Sequence, residues 1–503
     1  MQIQNRRLIY IIVLLISLFP LWVACYHWQF LNDDTYITLT YSKSLVAGRG
    51  FVFNHPPPTL GTTTPFFALM IAALSLILPW VDISRIAVMF SALCWIGIVW
   101  TIYLARHSLH ISDWQALIIG LAVIGSGWVG FLGMEAYLFA FLLVLSIVLY
   151  FRKQWAVTGV VVGLLFLTRG EGILMLPVFL LHTLAVMYVK WVKGRQLETQ
   201  TIVSLFWTTL SCLAIILVWS IYAWFTFGYI FPNTLAAKLA QEQSMHWTPF
   251  LFRLLNEWAP TWGKQFVFPF CPMVNWWSLL VIAGLGYVIF KKRNWLIFLV
   301  WIGLYIAGYT LIRVAGYWWY QLPILFVLQV FAAFGLIGIT EIFAKFRGKF
   351  RVLGYAMSVI VIATVVFLLV KPRIGSTLHY RDPRASSYLA LSDWIRTNTQ
   401  PSQSIAFIEI GYLGYYTDNR IVDLMGLVTP DVAPHIANGD FTWGFWNYEP
   451  DYYIYSPDFD WILASIRTDP RFNALYEPVA TIPGPKGNDL IIYVHSRNVS
   501  DGR

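Results

Sequence analysis

Charge is what this chain has little of. Lysine, arginine, aspartate and glutamate make up 12% of its 503 residues, about half their share in an ordinary soluble domain. With 58% hydrophobic residues and a mean hydropathy of +0.64, that excludes an ordinary soluble fold. Cysteine is scarce too. Cys25, Cys94, Cys212 and Cys271 are scattered in or beside apolar segments; they lack metal-site spacing and imply no disulfides. Internal repeats and low-complexity tracts are absent. The net charge of +9 calls for no nucleic acid, because basic residues on cytoplasmic loops explain it. Residues 1–25 are a short basic head and an apolar run without a small-residue cleavage site, so they read as an uncleaved first span.

What the chain has is apolar runs of helix-spanning length. In lipid the backbone must satisfy its own hydrogen bonds, which leaves helices as the reading of such runs. The expected fold class is a polytopic α-helical membrane protein with eleven spans, at 8–27, 86–105, 115–133, 136–151, 155–169, 172–190, 201–223, 275–290, 294–312, 319–340 and 352–370. Basic clusters fall at Arg6/Arg7, Arg152/Lys153, Lys190/Lys193/Arg195, Lys291/Lys292/Arg293 and Lys345/Arg347/Lys349/Arg351. The positive-inside rule puts them in the cytoplasm. That alternation works, and brings Arg106 inside, only when the apolar stretch Pro65–Trp80 lies in the interface or re-enters. The N-terminus is then cytoplasmic, and the loop of residues 28–85 and the C-terminus lie outside. After Lys371 the chain changes character. Residues 372–503 are expected to form a small extracytoplasmic α/β domain beside the helical domain of residues 1–371, with "PRASSYLALSDWIRTN" as a helix and "SIAFIEIG", "RIVDLMGL" and "DLIIYVHS" as strands.

This topology gathers the unusual polar residues on one face. Asp33 and Asp34 follow the first span, and Glu135 sits in a tight, almost wholly apolar connection. Arg169 and Glu171 occupy the next outer turn, Asn233 and Lys238 the long loop before 275, and Arg313, Tyr317 and Tyr320 the following turn. Charges at a membrane edge are costly and mark a site. Structural readings stand beside this one. Arg169 and Glu171 also read as a salt bridge closing a turn, Lys238 as a snorkelling lysine, and Arg313 as a headgroup anchor. Asp33–Asp34 also reads as a helix N-cap with Gly48 as the stop, although capping needs only one aspartate.

The stretch "NDDTYITLTYSKSLVAGRGFVFN", followed by "GTTTPFFALMIAAL", resembles the first outer loop of the GT-C superfamily of membrane glycosyltransferases. It is most similar to bacterial members related to the mycobacterial terminal arabinofuranosyltransferases, and more distantly to the lipid A aminoarabinose transferases and protein O-mannosyltransferases. "GMEAYLF", "TRGEGIL", "FPNTLAAK" and "IVDLMGLVTPDVA" extend the resemblance over most of the chain. "TRGEG" differs from the more usual Arg-Pro-Glu, and "GTTTP" from the commoner Gly-Tyr-Thr. The resemblance implies a polyprenyl-phosphate sugar donor, a glycan, lipid or protein acceptor of the cell envelope, chemistry on the outer face of the plasma (inner) membrane, and an acidic residue of the first loop as catalytic base. That role maps to Asp33 or Asp34, with Glu135 as a second carboxylate. Some members use a divalent metal at paired acids, so Mg²⁺ or Mn²⁺ at Asp33 and Asp34 would suit.

The chemistry then follows. A carboxylate takes the acceptor's proton, and cations stabilise the leaving phosphate. Lys238, Arg313 and Arg169 are the phosphate-binding candidates, while Glu171, Asn233, Tyr317 and Tyr320 are the substrate-binding ones. Direct attack would invert the anomeric centre. The competing reading is a transporter or flippase of a lipid-linked or small polar substrate, which favours inverted repeats and charges near the midplane. No repeat is visible here.

Overall fold

The computed structural model describes residues 2–28, 31–53, 57–125, 129–194, 199–262, 275–346, 352–354, 356–364, 367 and 382–500. Its helical part runs α1 (Gln2–Ile16), α2 (Leu18–Tyr26), α3 (Asp33–Val46), α4 (Pro65–Ile77), α5 (Ile83–Leu104), α6 (Asp113–Gly125), α7 (Ala136–Phe151), α8 (Trp155–Thr168), α9 (Met175–Val192), α10 (Thr199–Phe227), α11 (Asn233–Gln243), α12 (Phe250–Arg253), α13 (Trp276–Lys291), α14 (Leu296–Leu311), α15 (Leu322–Phe343) and α16 (Val352–Thr364). Among the described residues, six helical stretches are long and apolar enough to cross a membrane: Arg7–Tyr26, Ile83–Leu104, Gly170–Val192, Val203–Phe227, Arg293–Leu311 and Trp318–Phe343. The other five expected spans fall on the shorter apolar helices α6, α7, α8, α13 and α16. The third ends early, since α6 stops at Gly125 rather than running to 133. The last span, the basic residues 347–351 and the boundary expected at 371 lie wholly or partly outside the described residues. Within Pro65–Trp80 lies α4, 13 residues long and thus of the same length as α6.

Packing follows from small residues. Without a hydrophobic drive between helices in lipid, close backbone approach supplies the contact. A Cβ on Gly284 of α13 would stand 1.7 Å from the Phe331 carbonyl oxygen of α15, and one on Gly335 2.1 Å from that of Leu280. Gly159 of α8 meets Thr208 of α10 in the same way, at 2.1 Å. Bulkier residues would force these pairs apart.

The C-terminal domain carries a five-stranded mixed sheet in the order β2-β1-β3-β5-β4. Its strands are β1 (Ser404–Phe407), β2 (Arg420–Asp423), β3 (Tyr452–Tyr455), β4 (Tyr476–Ile482) and β5 (Leu490–His495). β1 is parallel to β2 and β3; β5 runs antiparallel to β3 and β4. The three strands expected from alternation are β1, β2 and β5. The other two pass unnoticed because β3 ends the aromatic run "TWGFWNYEPDYYIY", while β4 carries a glutamate and a proline at its second and third positions. Helix α17 (Ala385–Asn398) is the one expected between the membrane part and the sheet. Between β1 and β2 the chain crosses over through α18 (Gly411–Tyr416), which the strand reading also missed.

This domain docks on the first loop through α18. Tyr36 of α3 packs against Tyr412, Tyr415 and Tyr416 at 4.5, 5.0 and 5.4 Å. Tyr412 Oη donates to the Leu31 carbonyl at 2.7 Å, and Lys43 Nζ to that of Tyr415 at 2.7 Å. A second clamp comes from α11, where Asn233 Nδ2 donates to the carbonyls of Gly426 (2.5 Å) and Leu427 (3.1 Å). The loop after β2 that receives it is held by Asp423, whose carboxylate accepts from the backbone N–H groups of Met425 (2.8 Å), Leu427 and Val428 (3.0 Å).

Candidate active site

The acidic pair opens α3, and neither aspartate caps it. Asn32 does, accepting the Asp34 N–H at 3.0 Å through its side chain. The helix closes as a Schellman turn, with Gly48 at φ +73° and Arg49 N–H donating to the Ser44 carbonyl at 2.9 Å. Both carboxylates are thereby released. Neighbours on a helix point about 100° apart, so the two separate. Asp33 turns to the C-terminal domain, where its oxygens accept the N–H groups of Gly411 and Tyr412, each at 3.0 Å. It is 3% exposed. Asp34 stays partly exposed, and among the described residues nothing hydrogen-bonds its carboxylate.

Both border a cavity of about 930 Å³. Its walls come from the first loop, from the α7–α9 connections, from α10, α11 and α14, and from the C-terminal domain. Three charged groups surround it. Arg169, 6% exposed, donates to Glu171 at 2.6 Å and to Glu135 at 3.3 Å, while Tyr309 Oη donates to Glu171 at 3.2 Å. Lys238 of α11 lies over the rings of Tyr317, Trp319 and Tyr320, at 5.4, 5.3 and 5.4 Å from their centroids. Among the described residues no carboxylate pairs with it. Tyr317 and Trp319 stack at 4.6 Å, and Tyr317 Oη donates to Gln241 at 2.5 Å. The third group is Arg384, at the start of α17. It is bonded to Asp382 at 2.9 Å and to Glu409 at 2.6 Å, and both Arg384 and Glu409 line the cavity.

Burial dominates the electrostatics. It pushes Asp34 up to about 6, with the neighbouring Asp33 charge adding to the rise and Lys238 and Arg384 opposing it. Asp33 is raised by burial against the backbone hydrogen bonds that favour its anion. Glu409 is pushed well above the usual carboxylate range, by burial first and then by Asp33, which lies within hydrogen-bonding reach.

Of the residues singled out from sequence, the structure brings together Asp33, Asp34, Glu135, Arg169, Glu171, Lys238, Tyr317 and Tyr320 around the cavity. Two stand elsewhere. Asn233 is spent on the interdomain clamp. Arg313, at φ +53°, has a largely exposed side chain that pairs with Glu242 at 3.3 Å. Arg384 and Glu409 were missed, since no spacing links the sheet domain to the first loop. The available hint was a lone glutamate between isoleucines, just before the glycine that ends "SIAFIEIG". A metal finds a poor fit. Among the described residues no three His, Cys, Asp or Glu side chains are grouped to hold one, and Asp33's oxygens are taken by amides.

One family model matches, a domain of unknown function (DUF8728), over residues 377–499, nearly the whole C-terminal domain. No curated protein matches the chain. Among solved structures, ArnT from Cupriavidus metallidurans in the apo state is similar over 97% of this chain and 97% of its own, at 15% identity and a TM-score of 0.53. The likeness is one of fold: the chain shares the fold of that structure.

Proposed function

We propose that this protein is a membrane glycosyltransferase. It moves a sugar from a polyprenyl-phosphate donor to a hydroxyl of a cell-envelope glycan, lipid or protein on the outer face of the plasma membrane, and it inverts the anomeric centre. One observation carries the reading. A partly exposed carboxylate, Asp34, and a cation, Lys238, border the same cavity, and among the described residues neither has a hydrogen-bonding or ion-pair partner for its charged group. The cavity wall also includes Leu213 of α10 and Ile312 beyond α14, both about half exposed on the apolar flank of the bundle.

That arrangement suits a donor whose head is charged and whose tail stays in lipid. Asp34 takes the acceptor's proton as the hydroxyl oxygen attacks the anomeric carbon. The bond to phosphate breaks, and the leaving phosphate gains charge against Lys238, with Arg169 deeper in the wall. Lys238 suits this role because, among the described residues, its charge is not already spent on a carboxylate, whereas Arg169 is held by Glu135 and Glu171 and Arg384 by the Asp382 carboxylate. The aromatic cage holds its ammonium in place without neutralising it.

The test is Asp34→Asn in the full-length protein in membranes supplied with a labelled polyprenyl-phosphate sugar. Loss of about 10²- to 10⁴-fold in transfer at normal expression is expected, the usual share of a general base. Full transfer by the variant, or lipid translocation without transfer by the wild type, would sink the proposal.

A further inference from the structure

The two adjacent aspartates are not equivalent, and the C-terminal domain is what separates them. Glu409 follows β1 and immediately precedes the residues that enter α18. Its carboxyl lies against Asp33, and its other side receives Arg384 Nη1 at 2.6 Å. Arg384 is itself anchored by Asp382 at 3.0 and 2.9 Å. Asp33 is thus gripped from two directions, by the α18 amides and by Glu409. We infer that Glu409 is a positioning residue for the proposed transfer reaction: backed by Arg384, it fixes the Asp33 carboxylate on the C-terminal domain so that Asp34 alone is turned to the substrate.

Helix geometry and charge together orient the pair. Once Asp33 is fixed, the roughly 100° between successive residues leaves Asp34 one direction. Two facing carboxylates at hydrogen-bonding distance hold one proton between them. Asp33 accepts two backbone N–H groups that favour its anion, whereas burial and the Asp33 charge favour the neutral form of Glu409, so Glu409 is the donor of the pair. Asp34, Arg384, Tyr388 and Tyr317 are the other titratable groups facing Glu409, and of these Arg384 opposes its rise. The C-terminal domain is therefore a working part of the site.

The inference rests on the glycosyltransferase reading, and the experiment separates the two. Glu409→Gln keeps both contacts, with its amide N–H donating to Asp33 and its oxygen accepting from Arg384. Glu409→Ala loses both. In the full-length protein in nanodiscs, hydrogen exchange over residues 33–36 should stay at the wild-type level in E409Q and rise in E409A. With a polyprenyl-phosphate sugar donor, E409A should lower kcat by about 10²-fold, the scale of a misplaced catalytic group, at unchanged donor KM. E409Q should recover most of that loss. It should also lack the alkaline limb that wild-type activity shows when Glu409 gives up its proton and the pair becomes two repelling anions. E409A with wild-type exchange, or E409Q as impaired as E409A, overturns the inference. The exchange arm needs no donor. A wild type that transfers nothing while E409A still loosens residues 33–36 counts against the glycosyltransferase reading and for the linkage.

Discussion

The docking of the sheet domain on the acidic pair predicts an inversion of sign at Gly411. This glycine opens α18, where alanine would ordinarily stabilise a helix by about 1 kcal/mol. Its added Cβ, however, would stand 1.9 Å from the Asp33 carbonyl oxygen and 2.9 Å from the Asp33 carboxyl carbon. An unbonded carbon and oxygen need about 3.3 Å, so α3 and α18 must part by roughly 1.4 Å. The two hydrogen bonds to Asp33, each 3.0 Å long, then open past bonding range. Bonds to a charged group contribute about 1.5–3 kcal/mol each. Gly411→Ala should therefore weaken docking by a net amount on the order of 2–5 kcal/mol. At 1.4 kcal/mol per tenfold, that is roughly 30- to 3,000-fold in the local opening equilibrium. Hydrogen exchange at Asp33–Tyr36 and at Tyr412 reads it directly, with the detergent-solubilised full chain as sample. Gly303→Ala in α14 is the control, since nothing lies within 4 Å of its added Cβ; it should be neutral or stabilising. If Gly411→Ala protects these amides as the wild type does, the close backbone approach is not what holds the domain, and the reasoning fails.

Other expectations follow from the same geometry. With Asp34 pushed up to about 6, kcat/KM should climb about tenfold per pH unit below pH 6 and level off above it until the alkaline limb begins; a flat profile from pH 4 to about 7 would exclude Asp34 as the base. The same shift makes stability fall as pH rises from 3.8 through about 6, because the buried carboxyl favours its neutral form; a pH series of thermal midpoints checks the sign. Lys238→Met should raise the donor KM by about 10- to 100-fold, the weight of one charged hydrogen bond, at unchanged thermal midpoint, and an unaltered KM would remove Lys238 from the phosphate site. Gly335→Val should overpack the α13–α15 contact by about 1–3 kcal/mol, seen as a lower thermal midpoint, whereas Gly286→Ala, with open space around it, should not.

Periodic and local properties were legible from the residues alone. Apolar run length located the spans because each helix must satisfy its own backbone inside lipid. Charge scarcity made the polar residues of the connections conspicuous, and most of those do gather at one cavity. The acidic pair was visible as a pair, but its division of labour was not. Asn32 takes the capping role that was the alternative reading of the aspartates, and that choice depends on the backbone angle at the entry to α3. Asn233 and Arg313 were polar for reasons of their own, an interdomain clamp and a surface ion pair, and residue type alone does not separate these from substrate contacts.

Only the tertiary structure distinguished the two aspartates, burying Asp33 against the sheet domain and leaving Asp34 partly exposed at the cavity. The residues that settle it, Glu409, Gly411 and Tyr412, lie nearly 380 positions away along the chain and carry no pattern that points back to residue 33. Hydropathy and helix periodicity act over neighbouring residues and are written into the sequence at short range. The pairing of a buried carboxylate with two distant amides arises from how a sheet domain lands on a loop, and that landing is fixed by shape and close backbone contact.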